Sequence, residues 1–240
     1  MTDASAVTIA LLLPDVLGTY SDSGNATVLQ RRLGWRGVPA RVLRCTADRP
    51  PPTGCDVYLL GGGEDTAQLF AARWLRERRA LRGALARGAV TLAVCAGMQI
   101  LGRWMADEQG VRHPGAGLLD LTTSPRGRRA TGELVADCVL PGVGRLSGFE
   151  NHRGATALGS GARPLSRVLS GVGNGVRPGR GGPVEGAVSG RIVATYLHGP
   201  VLARNPALAD HLLSEVLGSP LPELELPDQA ALRATYLGPR

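Results

Sequence analysis

Three almost wholly apolar runs, at 7–13, 57–60 and 89–94, each give way to a turn of small or polar residues and then to helical periodicity. A strand without polar alternation has no solvent-facing side, so it must be covered on both faces. Helical crossovers between such strands supply the cover and impose a parallel sheet. The segments between the runs fit that role. Val28, Leu29 and Leu33 share a helical face, stopped by Gly34 and Gly37, and 40–43 reads as a further short strand. One long helix is expected over 66–86, with Phe70, Trp74, Leu81 and Leu85 at helical spacing. Another is expected after residue 95, where Ile100, Leu101, Trp104 and Met105 recur. The polar stretch Ser21-Asp22-Ser23-Gly24-Asn25 reads as the cap of the first helix.

The second half is denser in short strands, expected at 134–140, 146–149, 167–170, 186–189 and 191–197. The glycine- and proline-rich stretch 171–190 reads as a mobile loop. Asn205-Pro206 reads as a cap followed by proline at the first helical position, opening a helix with Leu208, Leu212 and Val216 on one side. The pattern is a doubly wound α/β sheet, parallel at first and mixed later. It predicts one domain over 1–240, with a core at about 7–217 and a C-terminal extension at 218–240.

Composition narrows the function classes. Only 4% of residues are aromatic, so the core must be built from Ala, Leu and Val. All 27 basic residues are arginine, and the net charge of +7 permits an anionic ligand. Basic runs interleaved with aromatics are missing, which argues against nucleic acid as a partner. The arginine-rich stretch 73–82 reads as a solvated helix face. The apolar run at 7–13, flanked by Asp3 and Asp15, is too short to span a bilayer and reads as a buried strand. Cys45, Cys55, Cys95 and Cys138 lie scattered without close pairing, which predicts reduced thiols and a cytoplasmic location.

Ala93-Val94-Cys95-Ala96-Gly97 carries the chemistry. A cysteine at a strand-to-helix turn with small neighbours can protrude as a nucleophile. The helix N-terminus behind it favours a thiolate, and its N–H groups, Ala96 first, can bind an oxyanion. His198, in Tyr196-Leu197-His198-Gly199-Pro200, is expected at the end of another strand, where a parallel sheet gathers its sites. There it can act as the general acid and base. Gly61-Gly62-Gly63-Glu64 lacks both the Lys-Ser/Thr ending of a phosphate loop and the spacing of a dinucleotide fingerprint. It is either a plain turn or a second source of oxyanion N–H groups, Gly63 especially.

These segments resemble class I glutamine amidotransferase domains, in the cobyric acid synthase-like branch. Within it they are most similar to the glutaminase subunits (GatD type) of lipid II isoglutaminyl synthase. The resemblance rests on Leu13-Pro14-Asp15 with residues 20–25, Gly61-Gly62-Gly63-Glu64-Asp65 and Val94-Cys95-Ala96-Gly97-Met98-Gln99-Ile100-Leu101-Gly102. It continues through Gly148-Phe149-Glu150-Asn151-His152, Thr195-Tyr196-Leu197-His198-Gly199-Pro200 and Asn205-Pro206. It implies a three-layer α/β/α, flavodoxin-like domain with a mixed, mostly parallel central sheet. It further implies L-glutamine as substrate, Cys95 as nucleophile, His198 as acid and base, and Gly63 and Ala96 at the oxyanion. An arginine from 126–131, with Arg129 preferred over Arg128, would hold the glutamine carboxylate.

The resemblance also implies a heterodimer with a Mur ligase-like synthetase subunit (MurT type). That partner would bind ATP and reach lipid II, whose D-glutamate becomes D-isoglutamine in the peptidoglycan stem. No metal or cofactor is implied on this chain itself. Class I domains place a glutamate two positions after the histidine, where this sequence has Pro200. A Cys–His dyad is therefore expected, with Glu150 or His152 as open alternatives for an orienting group. The rival readings are an amidotransferase serving cobyrinate or another acceptor, a cysteine hydrolase of similar fold, and a non-catalytic binding module.

Overall fold

The computed structural model describes residues 6–18, 22–49, 51–176 and 181–237. Asp3, Tyr20, Ser21, residues 177–180 of the glycine-rich stretch and 238–240 of the C-terminal extension lie outside them.

The chain opens with β1 (Val7–Leu12), α1 (Gly24–Gly34), β2 (Ala40–Cys45) and β3 (Val57–Leu60). It continues with α2 (Asp65–Glu77), α3 (Arg79–Ala86), β4 (Val90–Val94) and α4 (Ala96–Leu101). Next come β5 (Trp104–Ala106), β6 (Arg112–Pro114), β7 (Leu121–Cys138), β8 (Arg145–Leu158) and β9 (Ser166–Ser170). β10 (Val184–Glu185), β11 (Ala187–Ser189), β12 (Ile192–Thr195), α5 (Val201–Arg204), α6 (Pro206–Leu217) and α7 (Pro227–Leu237) complete it.

The apolar runs form the centre of a six-stranded sheet ordered β11-β12-β4-β3-β1-β2. β2, β1, β3, β4 and β12 run parallel, and β11 is the antiparallel edge. Every residue of β1, β3, β4 and β12 is buried, as strands covered on both faces require. Because these strands are parallel, the turns after β1, β3, β4 and β12 emerge along one edge. That edge receives residues 13–18, the glycine run, Cys95 and the segment to His198.

A second, largely antiparallel sheet is ordered β10-β9-β7-β5-β6, with β8 paired to β7. Short strands were expected here, but the long hairpin of β7 and β8 was not. Its alternating small, polar and charged residues do not make a continuous apolar run. The register between β7 and β8 is interrupted between Pro125 and Ala130, and this bulge holds the segment from Arg126 to Arg129. β8 also pairs with the end of the central sheet: Phe149 and His198 exchange backbone hydrogen bonds of 3.2 and 2.9 Å.

Four expectations need correction. The long helix over 66–86 is two helices, because Arg78 leaves helical geometry (φ −97°, ψ 71°). The bend lets Trp74 and Leu75 on one side of it and Leu81 and Leu85 on the other all pack inward, while Phe70 is 47% exposed. The helix after Cys95 ends at Leu101, and Trp104 and Met105 lie in β5. At Gly102 a Cβ would come 2.5 Å from Leu121 Cδ1, so β7 occupies the space where the helix would continue. The stretch 171–190 contains β10 and β11, with Asn174 and Glu185 fully buried. Asn205 is the N-cap of α6 and Pro206 its first residue, as expected, but the cap's side chain makes no bond to the helix and is drawn instead to the backbone of Ser147 and Val201.

Candidate functional site

At the end of β4 the backbone turns sharply at Cys95, whose φ of 54° and ψ of −108° lie in a region non-glycine residues rarely adopt. Cys95 N–H donates to Thr195 O at 2.8 Å, which anchors the elbow to β12. α4 starts at the next residue, so the thiol stands at the helix N-terminus. Cys95 is buried at 8% exposure yet borders a cavity of about 320 Å³.

β12 delivers His198 to the same place, where its ring stands beside the Cys95 side chain. On the ring's other side, Nδ1 faces Asp22 Oδ1 at 3.2 Å. Asp22 Oδ2 accepts Gly62 N–H at 2.7 Å, tying the carboxylate to the glycine run after β3. Asp22 is 2% exposed and His198 2% exposed, so the pair is shielded from water. Burial alone would push the imidazole pKa down, but Asp22 and Cys95 outweigh it and raise it to about 10. The arrangement therefore favours an imidazolium beside the sulfur. By contrast, burial pushes the thiols of Cys45 (to about 11), Cys55 and Cys138 up and holds them protonated.

Gly62 shows how tightly these groups meet. A Cβ there would stand 3.0 Å from His198 Cε1, 3.2 Å from Asp22 Oδ2 and 3.5 Å from Cys95 Cβ. Only a bare backbone leaves room for all three. Gly148 plays a similar part behind the histidine, where a Cβ would lie 2.7 Å from Leu197 Cβ.

The structure thus brings Cys95 and His198 together, and adds Asp22 where a dyad was expected. Asp22 comes from the β1–α1 connection, so the carboxylate beside the ring is not the one two positions after the histidine. Its segment reads in sequence as a helix cap, yet Ser23 makes no capping bond, and Asn25 Oδ1 accepts Leu202 N–H. The signal that could have found Asp22 is topological: an acid at the C-terminal edge of a parallel sheet, one strand from the glycine run. Glu150 does not orient His198. Both its oxygens accept backbone N–H groups, from Val172 at 2.7 Å and Gly173 at 2.9 Å. His152 stacks on Tyr196, ring centroids 3.6 Å apart, and borders the cavity.

Gly63 and Ala96 border the cavity together with Cys95. Gly62 N–H is already engaged by Asp22, which leaves Gly63 as the glycine of that run facing the cavity. Arg129 borders it too, and its Nη1 donates to Asn151 Oδ1 at 2.9 Å. Arg128 is exposed and is not among the lining residues. No cluster suited to a metal ion occurs among the described residues, and none of their helices is long and apolar enough to cross a membrane.

A buried cysteine on a strained elbow, an imidazolium beside it and a polar cavity in front define a site for attack on a carbonyl carbon. The sequence matches the CobB/CobQ-like glutamine amidotransferase domain over residues 8–206, and the chain belongs to that family.

Among curated relatives, it is 31% identical to the lipid II isoglutaminyl synthase (glutamine-hydrolyzing) subunit GatD of Staphylococcus aureus, across 95% of this chain and 93% of that protein. The corresponding subunit of Streptococcus pneumoniae is 29% identical, across 87% and 80%. Among solved structures, the glutaminase domain of Trypanosoma brucei CTPS superposes with a TM-score of 0.54 at 11% identity, covering 90% of this chain and 96% of that one. That likeness supports the fold alone.

Proposed function

We propose that this chain is the glutamine-hydrolysing subunit of a lipid II isoglutaminyl synthase. It would act as one amidotransferase domain that supplies ammonia to an ATP-using, Mur ligase-like subunit. The observation that carries the reading is the line from Asp22 through His198 to Cys95, which itself borders a cavity, in a chain similar along nearly its whole length to such subunits.

Cys95 thiolate attacks Cδ of glutamine, and the oxyanion is held by the N–H groups of Gly63 and Ala96. The tetrahedral intermediate collapses as His198 gives its proton to the leaving nitrogen, releasing ammonia and leaving a γ-glutamyl thioester on Cys95. His198 then takes a proton from water, the resulting hydroxide attacks the thioester carbon, and glutamate leaves as the thiolate–imidazolium pair is restored. Asp22 holds the ring so that Nδ1 keeps its proton. Arg129, steadied by Asn151, offers its remaining N–H groups to the α-carboxylate of the substrate. The partner would use ATP to activate the D-glutamate α-carboxylate of lipid II, in the cytoplasm, and the ammonia would convert it to D-isoglutamine.

Ammonia release from glutamine by the purified chain, alone and with the candidate synthetase, tests this directly. Release that depends on Cys95 and rises when the synthetase is added is the expected result. A folded chain silent in both series would overturn the reading.

A further inference from the structure

Gln68 of α2 and Gln99 of α4, each 8% exposed, border the cavity with Cys95. Gln68 Nε2 donates to Gln99 Oε1 at 2.5 Å and also meets Met105 Sδ at 2.8 Å. Gln99 Nε2 donates to Tyr196 Oη at 2.8 Å. The Tyr196 hydroxyl lies 2.6 Å from Thr156 Oγ1, which lies 2.9 Å from Thr123 Oγ1.

A thioether accepts hydrogen bonds and cannot donate them, so the Gln68 atom beside Met105 must be the amide nitrogen. That choice orients Gln68, and Gln68 in turn orients Gln99. Tyr196 accepts from Gln99, and the hydroxyls of Thr156 and Thr123 continue the network behind it. The two amides thus run in one direction, set at their origin by a methionine. Both N–H bonds of Gln68 are thereby engaged inside the protein. Its Oε1 has no partner among the described residues. What Gln68 offers the cavity is an acceptor and nothing else.

The position of this acceptor follows from α4. Side chains on a helix lean toward its N-terminus, and Cys95 is the N-cap of α4, one turn before Gln99. The Gln68–Gln99 pair thus borders the same cavity as Cys95 and Ala96.

We propose that Gln68 is a specificity-determining residue whose Oε1 accepts an N–H of the substrate's side-chain amide, with Met105 as the positioning residue that keeps this acceptor turned outward. The inference rests on the glutaminase reading and extends it. Glutamine and glutamate have nearly the same shape, so charge and hydrogen-bond polarity must separate them. A glutamate carboxylate in the same place sets oxygen lone pairs against Oε1 with no proton between them. The site makes glutamate at every turnover, and this contact favours its departure.

The test compares KM for glutamine with the inhibition constant of glutamate, read by ammonia release with the synthetase present, in wild type, Gln68→Leu and Met105→Leu. Met105→Leu conserves volume and removes only the sulfur acceptor, so it serves where Gln68→Leu folds poorly. The expected result is that the preference for glutamine over glutamate falls about tenfold or more in Gln68→Leu, and less in Met105→Leu. A purely structural role would lower thermal stability or kcat and leave that ratio alone. An unchanged ratio in a folded variant, with wild type active, overturns this inference and leaves the glutaminase reading standing. A wild type inactive on glutamine overturns both.

Discussion

Asp22 binds the His198 ring through one oxygen and Gly62 N–H through the other. Asp22→Asn keeps the size and removes the charge. A loss of kcat on the order of 10²–10⁴ is expected, by analogy with other triads. Because Asp22 raises the imidazole pKa, its loss should move the basic limb of the kcat/KM profile to lower pH. The stability consequence has a definite sign. The His198 pKa is raised in the folded chain, to about 10 from an ordinary 6.5. Its contribution is fully present below the unfolded value and is lost as pH rises through the folded one. Melting curves of wild type and Asp22→Asn should therefore differ most near pH 6 and converge toward pH 10. A constant gap would show that the carboxylate is not coupled to the histidine.

At the scale of elements, the turns do what the side chains cannot. Gly62→Ala puts a methyl group between His198, Asp22 and Cys95. Activity should fall at least about a hundredfold, since small misplacements of a catalytic group are that costly. The fold should survive, as checked by circular dichroism and melting; full activity in the alanine variant would refute the tight meeting of the three groups. Cys95, His198 and the strand ends that hold them were legible in the sequence, because strand, small-residue turn and helix follow directly from local pattern. Asp22 was not, because its partner lies far along the chain and its neighbours mimic a helix cap. The β7–β8 hairpin was only partly legible. Its strands face a polar cavity and a bulge, so they lack the apolar alternation that marks a half-buried strand. The break at Arg78 had no signal either; it is imposed by the surface that α2 and α3 cover.

For the molecule as a whole, the second sheet closes over the C-terminal edge of the first and makes the cavity from what would otherwise be an open rim. α7 reinforces the rear of this closure: Arg233 donates to Arg204 O at 2.6 Å and also to Arg145 O. Removing residues 227–240 should lower Tm by a few degrees, about 1–3 kcal/mol, from the loss of these charge-assisted bonds. Turnover per folded molecule should change little; a specific collapse of activity would instead assign α7 to the site. The central claim is that Cys95 is the nucleophile that glutamine meets, and covalent trapping by 6-diazo-5-oxo-L-norleucine tests it most directly. The expected result, by intact mass and peptide mapping, is one adduct on Cys95, suppressed by excess glutamine and lost in Cys95→Ala. Labelling of Cys45, Cys55 or Cys138 in its place, or a folded chain that takes no label with the synthetase present, would contradict it.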